Sequence, residues 1–162
     1  TRFEGSGATG HKQWRVSARQ GGLGMKHDVI LRVGTKLILP FIVLFAFYVQ
    51  FHGDYGPGGG FQAGVIAAGA VILYAIVFGL RKAQAAVPKA MAEAMIPAGV
   101  LLYAGTGLVG IFQGRNFLEY TGFATVFHSA HEWGIFFVEL GVLITVAGTM
   151  TAMFYAFAER GR

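Results

Sequence analysis

The chain has 162 residues, 54% of them apolar and 13% charged, with a mean hydropathy of +0.55 and a pI near 9.7. A soluble domain carries about 25% charged residues, so this composition excludes intrinsic disorder and argues against an ordinary water-soluble domain. Cysteine is absent, which excludes disulfides, iron–sulfur clusters and thiolate zinc sites.

Residues 1–25 are polar and Gly-rich, with no helical apolar period. They read as a mobile tail, and residues 26–162 as one transmembrane domain. With Thr at position 1, the original start is missing or the tail is an addition, and Met25 stands as an alternative start. The first apolar run is too long for a cleavable signal.

Four apolar stretches follow, at about 28–51, 58–80, 94–112 and 130–158. A bilayer core of about 30 Å needs roughly 20 apolar residues in a helix, and each stretch reaches that scale. Barrel strands would alternate apolar and polar residues. These runs are continuous, so the fold class is all-α, a polytopic membrane protein with four transmembrane helices. Of the 13 basic residues, only Arg115 falls in a loop after the first or third span. The positive-inside rule then puts both termini in the cytoplasm. Topology accounts for the basic pI, and no nucleic-acid partner is implied.

In the first span, Lys36 lies two turns in, where a lysine snorkels to the interface, and Pro40 should kink the helix one turn later. The turn to the second span reads His52-Gly-Asp-Tyr-Gly-Pro-Gly-Gly-Gly-Phe61. Pro57 suits the first turn of a helix. Gly58, Gly59 and Gly60 each cost a helix about 1 kcal/mol relative to Ala. The run reads either as a close backbone approach at a broken helix or as a tight hairpin turn. No Walker lysine follows it, so phosphate binding is not indicated. Gly60, Gly64 and Ala68 recur every fourth residue and form a flat face for packing on another helix, in this chain or in a neighbour.

The loop 113–129 is rich in aromatics and reads as interfacial or partner-covered. In the fourth span, His128, His131, Glu132 and Glu139 share one helical face. Glu139 lies about 12 Å beyond His131 along the helix. An intramembrane carboxylate is costly and points to function, as a proton relay or a cation site. The structural alternative is a carboxylate paired with a neighbouring subunit. His128, His131 and Glu132 fall at the outer interface, together with Asp54 of the first turn. The run His128-Ser-Ala-His-Glu132 lacks a metalloprotease pattern, so no metal is expected. No nucleophile–base pair, cofactor motif or repeat is present, and neither an enzyme nor a cofactor is expected. Lys36 lies in the inner half of the membrane and Glu139 in the outer half. They do not pair directly but can flank one hydrated path.

Thr35-Lys36, the aromatic-rich first span, Pro57-Gly-Gly-Gly-Phe61 and Glu139-Leu-Gly-Val142 together resemble the B subunit of Mrp-type multisubunit cation/proton antiporters. The resemblance covers roughly residues 26–158. It implies a subunit of an assembly in the cell membrane that exchanges Na+ for H+, with other antiporter subunits and the bilayer as partners. It implies an ion path shaped by Pro57 and Phe61, to which Glu139 and Lys36 are added as charged residues. The family's usual acid before Leu/Ile-Gly-Val is Asp, where this chain has Glu139. The family often has a histidine where this chain has Asp54, and His52 is displaced by two positions. Two alternatives remain. One is a scaffold subunit without ion ligands. The other is the equivalent subunit of a related membrane-bound hydrogenase or sulfur reductase.

Overall fold

The computed structural model describes residues 8–53, 57–112, 114, 116–118 and 130–160, with side chains from 29 onward in the first helix and from 133 onward in the last. Five helices account for nearly all of them: α1 (Ala8–His52), α2 (Gly60–Phe78), α3 (Leu80–Ala86), α4 (Lys89–Phe112) and α5 (Ala130–Arg160). There is no strand among the described residues. Four segments are long and apolar enough to cross a membrane: Val29–His52, Gly60–Phe78, Lys89–Phe112 and Trp133–Arg160. The four expected spans are therefore present. In hydrocarbon a backbone satisfies its polar groups internally, and a helix does so within one segment.

The boundaries differ from the apolar runs in instructive ways. Helix α1 begins at Ala8, so helical backbone extends through most of the segment expected to be a polar tail. It also continues through Pro40 as one helix. Helix α4 begins five residues before the expected span and takes in Lys89 and Glu93. Membrane helices continue into the headgroup region, where charge is tolerated, and an apolar-run criterion cuts off those polar ends.

A sharp corner ends α2. Gly79 has φ 95°, where a side chain would be strained, and its N–H bonds the Ala75 carbonyl at 2.9 Å. Its own carbonyl accepts from Lys82 and Ala83 at 3.1 and 3.2 Å, so one glycine closes α2 and starts α3. Helix α3 is capped by Val87, which is extended (φ −126°, ψ 92°), the conformation favoured before a proline. Pro88 then accepts the first bond of α4, from Ala92 at 3.1 Å.

In space the long helices neighbour one another in the order α1, α2, α5, α4. Small residues bring α4 and α5 together. A methyl group built on Gly99 of α4 would stand 2.5 Å from the Gly141 carbonyl oxygen of α5, and one on Gly148 would stand 2.8 Å from the Ala92 carbonyl. Close backbone approach replaces the hydrophobic effect as the cohesive force between helices in lipid. Helix α1 lies at the edge of the row. It packs along α2 and meets α5 only near its end, where Phe51 stacks on Phe136 with centroids 5.7 Å apart.

Candidate functional site: a carboxylate at the break between α1 and α2

The glycine run sits against two different helices. Gly58 faces the end of α1, where a methyl group on it would stand 2.6 Å from the Val49 carbonyl oxygen. Gly59 donates its N–H to that same carbonyl at 3.3 Å. Gly60 faces α5, where a methyl group would collide with the Glu139 carbonyl oxygen and stand 2.8 Å from its carbon. Close backbone approach to α5 and a tight turn after α1 are thus both real. Successive glycines serve them in turn. Gly59 itself has φ 132°, a conformation reserved in practice for glycine.

The Glu139 side chain lies in this junction. A methyl group on Gly53 would stand 2.9 Å from each of its carboxylate oxygens, and one on Gly59 would stand 3.5 Å from its Oε1 and 3.4 Å from the Gln62 Oε1. The half-buried carboxylate therefore lies beside the last residue before the break and beside the glycine that opens α2. Gly59 is the N-cap of α2 and supplies no side-chain cap. The N–H groups of Gly60, Phe61 and Gln62 begin the helix without intrahelical acceptors. They carry the positive end of its dipole, which attracts an anion. The chain thus brings an acid from α5 to the place where a capping acid would otherwise stand.

The remaining sequence-derived residues are distributed as follows. Pro57 and Phe61 both lie on the outside of the chain, Phe61 with 61% of its surface exposed. Any constriction that Phe61 forms is therefore shared with a neighbouring surface. Gly64 packs on α5, 2.9 Å from the Leu143 carbonyl oxygen and from Val146 Cβ when a methyl group is built on it, and Ala68 is buried. The small-residue face of α2 is thus used within this chain. Lys36 lies at the other end of α2, with Nζ 5.8 Å from the centroid of the Phe78 ring. It is separated from the Glu139 junction by the length of α2, about 27 Å at 1.5 Å per residue. The two charges are not brought together. Asp54 and His128 lie outside the described residues. His131 and Glu132 belong to the first turn of α5, and their side chains also lie outside them. In the loop after α4, the Phe117 ring rests on Gly107.

Three neighbours of the junction escape a reading by charge: Gly53, Gln62 and Gln50, the last buried one turn before Gly53. A usable signal exists. Gln50 and Gln62 are the only carboxamides within the four spans, and an amide in lipid needs a partner.

Comparison with known proteins agrees with this architecture. Residues 30–152 match the family described as a domain related to the MnhB subunit of Na+/H+ antiporter. A protein of Staphylococcus haemolyticus that carries the name antiporter subunit mnhB2 is 34% identical over 137 residues, which cover 82% of this chain and 96% of the relative. Its namesake in Staphylococcus aureus strain Newman is 34% identical over 131 residues, 79% of this chain and 92% of the relative. The same figures hold for the protein of strain JH1.

Proposed function

This chain belongs to the MnhB family, as a multi-pass membrane subunit of a multisubunit antiporter, and from that premise we propose that it lines part of the path by which Na+ is exchanged for H+ across the cell membrane. The Glu139 carboxylate is the polar centre of that path. Pro57 and Phe61 shape its wall from the outer surface of the chain, against another subunit of the complex. Lys36 marks the opposite end, toward the cytoplasm, where both termini lie. Asp54, His128, His131 and Glu132 flank the outer mouth.

The observation that carries this reading is the position of Glu139 at the break between α1 and α2. An acid inside a membrane span is expensive to keep. Breaks in membrane helices are tolerated where the backbone lines a cavity or is buried in protein, and their helix ends serve as ion sites in other transporters. Simple capping of α2 is the competing reading, favoured by the same short distances. It makes the chain a scaffold without ion ligands.

The two readings part in one experiment on the assembled complex. Everted membrane vesicles are assayed for Na+-dependent proton movement while native gels record assembly. A transport role predicts that Glu139→Gln and Phe61→Ala assemble but exchange poorly. Normal exchange in both variants would sink it. A scaffold role predicts instead that Gly64→Leu abolishes assembly while Glu139→Gln transports normally.

A further inference from the structure

The corner between α2 and α3 gathers positive charge on an apolar wall. A cavity of about 520 Å³ there is lined by Phe78, Gly79, Leu80, Arg81, Lys82 and Ala85. Its two cations share that wall with apolar side chains and with no carboxylate. A third cation comes from α1. The Lys36 ammonium lies 5.8 Å from the centre of the Phe78 ring, within reach of a cation–π contact. The next basic residue in the chain, Lys89, is held by Glu159 at 3.0 Å. Among the described residues, no carboxylate lies within ion-pair distance of Lys36, Arg81 or Lys82. The positive-inside rule asks for basic residues on one side of the membrane. It does not ask for them on the wall of a cavity, so this arrangement points to an anion.

The surroundings specify the anion. The second crossing ends at Phe78, which sets the corner at the level of the lipid headgroups. Arginine takes a phosphate through a two-pronged contact and lysine as a point charge. A free anion gains nothing from Phe78, Leu80 and Ala85, whereas an amphiphile gains from both halves of the wall. A second cavity, of about 320 Å³, lies between Leu39 and Val43 of α1, Ala67 and Tyr74 of α2, and Ala86 and Val87 of α3. Phe78 lines the first cavity and Tyr74 the second, and the two rings lie 4.7 Å apart. Ala67 stands two turns deeper in α2 than Tyr74. A chain laid along this wall therefore leads from charge into hydrocarbon.

We propose that Arg81 and Lys82, with Lys36, hold the phosphate of an anionic phospholipid at the corner between α2 and α3, and that the cleft between α1, α2 and α3 takes part of its acyl chain. The lipid ties the edge helix α1 to the corner through Lys36. The site lies at the opposite end of α2 from the Glu139 junction and does not depend on the transport reading.

The test uses the complete antiporter complex in phosphatidylcholine vesicles that contain a graded fraction of phosphatidylglycerol with a photoreactive acyl chain. After illumination the labelled peptides are mapped, and assembly is followed on native gels. Labelling is expected on the residues of the cleft. Arg81→Gln and Lys82→Gln should each raise the half-saturating fraction of the probe about fivefold, the worth of one basic residue beside an anionic lipid surface, and the double variant should raise it further. Exchanging the pair as Arg81→Lys with Lys82→Arg keeps both charges and should label like the unchanged complex. A photoreactive phosphatidylcholine should label the cleft weakly, and equally in every variant. Equal labelling by the two lipids overturns the proposal, as does an unchanged half-saturating fraction in the double glutamine variant, because only hydrocarbon contact would then remain. Competition by millimolar inorganic phosphate overturns it in favour of a site for a free anion. An unlabelled cleft, or loss of assembly in the double glutamine variant, overturns it in favour of an acidic surface of a neighbouring subunit.

Discussion

The two ends of the helix row are held together by opposite means. At the Glu139 end, contact depends on side chains that are missing. Gly53, Gly58, Gly59 and Gly60 let backbone and carboxylate meet at van der Waals distance. At the other end, contact depends on long side chains that reach. Tyr155 of α5 is fully buried and donates its hydroxyl to the Val87 carbonyl at 3.0 Å. It packs with Ala75 and Ala83, so that α2, α3 and α5 share one small core. Outside that core Glu159 accepts from Lys89 at 3.0 Å and from Gln84 at 2.9 Å. The difference teaches where tolerance lies. A reaching side chain can be shortened at the loss of one bond. A missing one cannot be supplied without moving a helix.

That contrast sets an order of expected effects. The largest belongs to Gly60→Val. Its Cβ would enter the Glu139 backbone, so α2 and α5 must separate. We expect the complex to be absent from native gels, and normal assembly would break the comparison at its strongest point. Next is Gly59→Ala. The φ of 132° is nearly closed to alanine, at a cost of order 1–3 kcal/mol. A clear fall in the melting temperature of the detergent-solubilised complex is expected, with assembly retained in the cold. Third is Tyr155→Phe, which leaves the Val87 carbonyl without its donor and keeps the ring in place. About 1 kcal/mol is the usual scale for such a bond, read as a smaller fall in the same melting experiment. The smallest effect belongs to Lys89→Ala. The Lys89–Glu159 pair is exposed, with side chains 47% and 41% accessible. Exposed pairs contribute little, and salt screens them further. Its melting temperature should be indistinguishable from that of the unchanged protein at high salt. A larger loss there than at Gly59 would reverse the order.

Much of the fold is legible in the residues taken alone. Four uninterrupted apolar runs leave helices as the economical way to satisfy a backbone in lipid, and the four crossings follow. The motif at Pro57–Phe61 and the acid at Glu139 stand out by composition alone, since both are costly where they occur. Helix ends are less legible. Helix α3 and the start of α4 are polar, so an apolar criterion passes over them, and Gly79 marks the corner only once its φ is known.

What the sequence by itself determined is the solvent of this protein and the number of its crossings, because burial in lipid is decided segment by segment. Only the tertiary structure decided that Glu139 and the glycine run, some eighty residues apart, form one junction. It also decided that Lys36 lies a full helix length from that junction, that Phe61 faces outward, and that Gln50 is enclosed without a partner. The physical reason is that periodicity assigns a residue to a face of its own helix. Which face meets which depends on where small residues let two backbones come close, and that is a property of pairs of helices.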